Sequence, residues 1–189
     1  MNKIVPHNKF SLIAVMGYLF ILLSANFCPG QSYMTESGHV EFDSSVPLHS
    51  FTGQSDHLVG KITLKNSIVD FYIDITTLKT GIGKRDNDML RTLEAKEYPF
   101  AEFYGKLVSD FDTTKSDPQE VAVRGEFTIH GVTKEVTIPG TLQKTNSGLQ
   151  VKASWKINME DYDIEPPGIL FYRVSEIIDV SVSATLNPT

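Results

Sequence analysis

The sequence predicts a mainly β protein of about eight antiparallel strands with one short helix between strands. Apolar residues alternate with polar ones along most of the chain, turn-forming residues separate the alternating stretches, and a single stretch has helical spacing instead. Period-two alternation gives a strand one apolar and one wet face, which is typical of antiparallel sheets. Periodicity alone leaves a closed barrel and a two-layer sandwich as alternatives.

The alternating stretches begin near Gly38 and continue almost to the end of the chain. In order, they are Val40–Phe42, Ile62–Leu64, Val69–Ile75, Ala101–Leu107, Val121–Ile129, Val136–Leu142, Leu149–Met159 and Ile178–Leu186. Turn-forming residues lie between them, at Asn66-Ser67, Asp117-Pro118, His130-Gly131, Asn146-Ser147-Gly148 and Pro166-Pro167-Gly168. At His130-Gly131 we expect a tight hairpin in which glycine supplies a positive φ.

One segment, Arg85–Lys96, breaks the alternation. Its Met89, Leu90 and Leu93 have helical spacing, and strong helix formers follow them. Asp86 or Asn87 is a suitable residue to cap its start, and Pro99 prevents its continuation. We therefore expect a helix of two to three turns lying across one end of the sheet.

Residues 1–30 have the features of a secretory signal peptide. Lys3 and Lys9 precede an uncharged apolar stretch from Phe10 to Leu23, which is shorter than the about 20 residues of a membrane span. Small residues at Cys28 and Gly30 predict cleavage after Gly30. The alternatives are an uncleaved anchor and acylation of Cys28. We expect residues 31–189 to form a single periplasmic or secreted domain without a stable membrane span.

Composition and motifs exclude several functional classes. With 23 acidic and 17 basic residues, the net charge of −6 argues against a nucleic-acid-binding protein, and a single cysteine excludes a disulfide scaffold. The histidines His39, His49 and His57 lack metal-ligand spacing, and no catalytic motif occurs. The sequence therefore predicts no metal, no cofactor and no catalytic residue. A catalytic pair of carboxylates that are distant in the sequence and adjacent in the fold stays open as an alternative.

Three segments resemble the YceI-like family. They are Thr80-Gly81 with Arg85-Asp86, Leu90, Tyr98-Pro99 and Phe103; the run GEFTIHGVTK from Gly125 to Lys134; and Asp161–Ile164 followed by the Ile178–Leu186 strand. The resemblance extends from about Gly38 to Leu186. The opening, from Val40 to Gly53, departs from it by lacking a longer histidine-containing strand, which indicates a divergent branch with a shortened N-terminal part.

This resemblance implies an exported, lipocalin-like antiparallel barrel that holds a polyisoprenoid or another lipid-like chain. In a barrel, one face of the alternating strands points inward and lines the ligand. The predicted lining residues are Phe71, Ile73, Ile75, Phe103, Val123, Phe127, Ile129, Trp155, Ile157, Val180 and Val182. Lys84, Arg85 and His130 lie in turns where strands finish, and are the candidates for contacting a polar head group.

The predicted function is that of a non-catalytic carrier of a long apolar ligand. Two alternatives remain: an envelope adaptor with a filled barrel, and a lipid-modifying enzyme on the same scaffold. For Arg85 the alternative role is to fix the helix, and for His130 it is to form the hairpin turn. The sequence leaves open whether the protein forms a homodimer.

Overall fold

The computed structural model describes residues 32–46, 49–165, 168–169, 172–173 and 176–189. The predicted signal peptide lies outside this part of the chain, as does the Pro166-Pro167 turn. The strands are β1 Ser32–Val46, β2 His49–Thr63, β3 Ile68–Asp74, β4 Phe100–Leu107, β5 Gln119–Ile129, β6 Val132–Thr145, β7 Gly148–Asn158, β8 Gly168–Ile169, β9 Tyr172–Arg173 and β10 Ile177–Pro188. In this described part of the chain there is one α-helix, α1, which spans Gly83–Thr92, and 3-10 turns occupy Leu64–Asn66, Ile75–Thr77 and Met159–Tyr162.

Eight of the strands close into an antiparallel barrel in the order β1-β10-β7-β6-β5-β4-β3-β2. The other two, β8 and β9, form a separate two-stranded pair. Pairing of β1 with both β2 and β10 closes the barrel, so no strand edge is left unpaired at that seam. The predicted fold class, an eight-stranded antiparallel barrel with one short helix, is confirmed.

The opening strands are longer than the sequence predicted. β1 and β2 each contain 15 residues, whereas alternation marked only Val40–Phe42 and Ile62–Leu64. The β1–β2 register shifts between Thr35 and Gly38 and again between Gly38 and Val40. Such bulges break the period of two, because an extra residue reverses which side chains face inward. The shortening of the N-terminal part relative to other members of the resembled family stays a prediction, because the length of these two strands alone does not test it.

The hairpin between β5 and β6 has the predicted turn. Ile129 pairs with Val132, so His130 and Gly131 form a two-residue loop, with φ values of 54° and 73°. Positive φ at both central positions defines a turn whose twist matches that of antiparallel strands. This turn fixes the register of the two strands.

α1 is shorter than predicted and begins earlier. Its N-cap is Ile82, which makes no capping hydrogen bond with its side chain, so the expectation that Asp86 or Asn87 would cap the helix is wrong. The helix ends at Thr92 because Leu93 leaves helical geometry and Glu94 has a positive φ of 46°. Its apolar residues Met89 and Leu90 pack against the core, as does Leu93.

Asp86 anchors α1 to the preceding loop. Its Oδ1 accepts hydrogen bonds from the backbone N–H and the hydroxyl of Thr80, at 2.8 and 2.6 Å. The hydrogen bond from the Thr80 hydroxyl is the largest cause that holds the pKa of the Asp86 carboxyl below its usual value, and the bond from the backbone N–H is the next largest.

We expect Asp86→Ala to lower the free energy of unfolding by about 0.5–1 kcal/mol at pH 7, because the carboxyl is only partly buried and solvent weakens the contribution of its hydrogen bonds. The pKa of Asp86 is lowered in the folded state, so its contribution is present above the unfolded pKa and is lost as the pH falls through the folded pKa. Urea denaturation of both proteins at pH 7 and in acid measures this. Asn87→Ala, one position away, is the control and should show no such pH dependence.

The two ends of the barrel differ. β3 starts at Ile68 opposite Thr63 and runs toward the β1–β2 hairpin, so α1, which follows β3, lies at the hairpin end. At the other end Leu149 pairs with Leu186 and both side chains are fully buried, and Tyr33, which pairs with Pro188 at the same end, is buried as well. One end is therefore packed with side chains, and the other carries the helix.

Candidate ligand-binding cavity

A cavity of about 920 Å³ lies inside the barrel. Side chains from all eight barrel strands and from α1 line it, and most of them are aliphatic or aromatic. The volume is near the upper end of the roughly 300–1,000 Å³ that is usual for small-molecule sites. The inward apolar face therefore surrounds a hollow interior.

Most of the predicted lining residues are at the cavity wall. These are Phe71, Ile73, Phe103, Val123, Phe127, Ile129, Trp155, Ile157, Val180 and Val182. Phe103 pairs with Phe71 on one side and with Phe127 on the other, which gives three phenylalanines in one row across β3, β4 and β5. The Phe127 ring also packs edge-to-face on Trp155, with centroids 5.9 Å apart.

Two predicted site residues lie elsewhere. Ile75 is fully buried in the 3-10 turn that follows β3, where its N–H donates to the carbonyl of Pro99. The chain leaves the strand after Asp74, so the alternation no longer determines the direction of the Ile75 side chain. Ile75 is accordingly not among the described residues that line the cavity.

His130 also lies away from the cavity wall. Its Nδ1 is 3.1 Å from the carbonyl oxygen of Tyr162, and its ring packs edge-to-face on Tyr98. Its Nε2 is buried 3.4 Å from a carboxylate oxygen of Glu94. A carbonyl only accepts, so Nδ1 is the donor in this contact. His130 thus connects the β5–β6 hairpin to the 3-10 turn before β8.

The opening strands contribute lining residues that the sequence did not identify. They include Val40, Phe42, Ser44, Phe51 and Leu58. Val40 and Phe42 lie in a stretch where alternation was recognised, and Ser44 is a polar residue on the same face. The register shift between Gly38 and Val40 interrupts the alternation that would have related Leu58 to Phe51. Val151 and Ala153 also line the cavity and were not among the predicted lining residues, although they lie on the alternating face of β7.

The position of the Phe71 ring depends on a glycine. Gly60 pairs with Phe71, and a Cβ on Gly60 would lie only 2.1 Å from the ring. The ring therefore lies against the backbone of β2 at Gly60, and a larger residue at position 60 would displace it. Such close approach of a ring to a neighbouring backbone is a common reason for glycine in a strand.

Charged side chains of α1 form the rim of the cavity, together with Ser44, Ser50 and Phe51 of the β1–β2 hairpin. Lys84 Nζ lies 2.8 Å from Asp88, and Arg91 binds the other oxygen of the same carboxylate. The hydrogen bond from Lys84 is the first cause that holds the pKa of Asp88 below its usual value. Arg85 instead lies with its guanidinium 4.4 Å from the centre of the Phe51 ring.

The described residues contain no cluster of three or more histidine, cysteine, aspartate or glutamate side chains that could hold a metal ion. Within the same part of the chain, no helix has the length and hydropathy that a membrane span requires. Chemically, the site offers an apolar interior with a charged rim. Such an arrangement can hold an apolar chain and leave a polar group at the rim.

Comparisons with known proteins agree with this architecture. A family model for the YceI-like domain matches residues 32–186. A search of curated proteins found no match. Among solved structures, one match is a polyisoprenoid-binding domain from Saccharophagus degradans that is implicated in plant cell wall breakdown. It is 18% identical to this chain, and the match covers 84% of this chain and 99% of that one, with a TM-score of 0.71.

Two further structures have the same fold. BcnA of Burkholderia cenocepacia is 16% identical over 80% of this chain and 96% of that one, with a TM-score of 0.65. The Campylobacter jejuni YceI protein is 20% identical over 72% and 84% of the two chains, with a TM-score of 0.58. Because the family model covers most of the sequence, this chain belongs to the YceI-like family.

Proposed function

We propose that this protein is an exported, non-catalytic carrier that holds a long apolar molecule of the isoprenoid type inside its barrel. The single observation that supports this most is the hollow apolar interior of about 920 Å³. The polyisoprenoid-binding domain from Saccharophagus degradans, which has the same fold, adds support for an isoprenoid ligand. The predicted signal peptide in residues 1–30 supports a periplasmic or secreted location.

The energetics of an apolar chain in this cavity are sufficient for tight binding. Each isoprene unit has five carbons, so its burial contributes roughly 3–4 kcal/mol at about 0.8 kcal/mol per carbon group. Three or four units contribute on the order of 10–15 kcal/mol before the cost of immobilising both partners. Micromolar to nanomolar affinity follows without any strong polar contact. Selectivity among chains would then depend mainly on length and width.

The hollow interior argues against the envelope adaptor with a filled barrel, since that alternative requires side chains to occupy the space. The lipid-modifying enzyme has no supporting observation among the described residues. Within the cavity we propose that the ten wall residues named above contact the chain. Lys84 and Arg85 lie at the rim, where a head group would be, whereas His130 is in a hairpin away from it.

Identification of a copurified molecule tests the carrier function. The protein is purified without detergent, and an organic extract is analysed by mass spectrometry. We expect an apolar chain in about equimolar amount, and we expect the extracted protein to take up retinol, an isoprenoid whose fluorescence increases in an apolar site. A folded protein that carries no lipid and binds no retinol after extraction would contradict the proposal.

A further inference from the structure

The three cations of α1 at the rim are not equivalent. Lys84 and Arg91 share the single carboxylate of Asp88, which compensates one of their two charges, and both side chains are largely exposed to solvent. Arg85 forms no ion pair with a carboxylate in the part of the chain that the structure describes. Its neighbour Asp86 is bound to Thr80, and adjacent residues on a helix point in different directions. Among the described residues, Arg85 is therefore the α1 cation at the rim that is half-buried and has no ion pair with a carboxylate.

An aromatic ring holds the guanidinium of Arg85 in place. Arg85 is half-buried and lines the cavity, with its Cζ 4.4 Å from the centre of the Phe51 ring. The Phe51 ring itself packs edge-to-face on Phe42, with centroids 6.3 Å apart. A guanidinium stacked on a ring keeps its N–H donors at the edge of its plane. These donors remain available for an acceptor at the rim.

A second donor without a partner lies beside this ring. Ser44 pairs directly with Phe51 across β1 and β2, and directly opposite residues point to the same face. Ser44 lines the cavity and is only 3% exposed, and its Oγ has no hydrogen-bond partner among the described residues. A buried hydroxyl without a partner is unfavourable, so its presence at the rim indicates a group that it binds when the cavity is occupied.

We propose that Arg85 and Ser44 form a subsite for an anionic head group, a carboxylate or a phosphate, of the chain that occupies the cavity. This inference rests on the proposed carrier function. The planar guanidinium matches the geometry of both anions, and partial burial at the rim strengthens the charge-assisted hydrogen bond. The hydroxyl of Ser44 donates to a further oxygen of the head group after rotation about its single side-chain torsion. The ligand is thus an acidic amphiphile, with its tail in the barrel and its anion at the rim.

Three compounds with the same isoprenoid tail test the inference: farnesyl monophosphate, farnesoic acid and farnesol. Their dissociation constants are measured with the extracted protein, the Arg85→Gln variant and the Arg124→Gln variant. Arg124 is the matched control because it lies on the outer face of β5, paired with Glu135. In the unmodified protein we expect farnesyl monophosphate, farnesoic acid or both to bind about tenfold more tightly than farnesol. Comparison of these two anions shows whether the site prefers a phosphate or a carboxylate. Arg85→Gln should abolish this preference and leave farnesol binding unchanged, and Arg124→Gln should retain the preference.

The outcomes separate this inference from the carrier function. Equal affinity of the unmodified protein for all three compounds would overturn the anionic subsite and leave the carrier intact, whereas failure to bind any of them would contradict the carrier function itself. An equal loss of affinity for all three compounds in Arg85→Gln would also overturn the subsite, because Arg85 would then act on the tail or on the fold.

Ser44→Ala tests the second member of the subsite. Removing a hydroxyl that has no partner should leave the free energy of unfolding of the ligand-free protein unchanged or higher. We expect affinity for the preferred anion to fall about threefold to tenfold, with farnesol binding unchanged. An unchanged preference for the anion in this variant would remove Ser44 from the subsite.

Discussion

Replacing Phe103 with aspartate is expected to lower the free energy of unfolding by at least about 3–5 kcal/mol at pH 7 and to abolish uptake of an apolar chain. Phe103 is 7% exposed and lies in the phenylalanine row between Phe71 and Phe127. Loss of a buried phenylalanine alone typically costs about 3–5 kcal/mol, and a carboxylate without a partner adds its desolvation. Since native domains are stable by about 5–15 kcal/mol, this one substitution removes a large part of the total.

The neighbouring residue provides the control. Tyr104 is 57% exposed on the outer face of β4, so Tyr104→Asp introduces the same carboxylate one residue away without burying it. Denaturant unfolding and retinol uptake are compared for the two variants. Equal effects would show that β4 does not have one face toward the cavity and the other toward solvent.

The pH dependence separates buried charge from lost packing. Burial raises the pKa of an introduced aspartate above its unfolded value of about 3.9. The neutral form is then favoured in the folded state, so the additional destabilisation of Phe103→Asp is absent below the unfolded pKa and grows as the pH rises through the folded pKa. We expect the variant to regain part of its stability in acid, and the packing loss to remain. Tyr104→Asp should show no such gain.

Alternation was sufficient to predict most of the barrel, because each central strand has one apolar and one wet face. β5, β7 and β10 follow this pattern closely, and their inward residues lie at the cavity wall. The opening strands could not be predicted to full length, since bulges in β1 change which residues face inward. At Ile75 the chain turns into a 3-10 helix, and the periodicity extended one residue too far.

Periodicity could not predict whether the interior of the barrel is hollow or filled with side chains. Whether a barrel is hollow depends on where rings lie relative to neighbouring strands, as with the Phe71 ring over Gly60. The difference between Lys84 and Arg85 was partly accessible, because Asp88 lies four residues after Lys84, a spacing that favours an ion pair on a helix. The contact of Arg85 with Phe51 joins distant parts of the sequence and required the structure.

Filling the cavity without unfolding the barrel provides the second test with a large expected effect. Ala153 of β7 lines the cavity, and Ala153→Phe places a ring in space that the ligand would otherwise occupy. Displacing about one isoprene unit removes roughly 3–4 kcal/mol of burial, so affinity for an apolar chain should fall by roughly a hundredfold to several hundredfold.

The free energy of unfolding should be unchanged or higher in Ala153→Phe, since the ring buries apolar surface in a hollow that lacked contacts. Retinol titration and urea denaturation of the same preparation measure the two quantities. Ser154→Phe, one residue along on the exposed face, is the control and should bind retinol normally. Lower affinity for retinol together with unchanged or higher stability is expected of a carrier. It is not expected of a barrel whose interior only supports the fold. A stable Ala153→Phe variant with undiminished retinol binding would place the ligand outside the barrel.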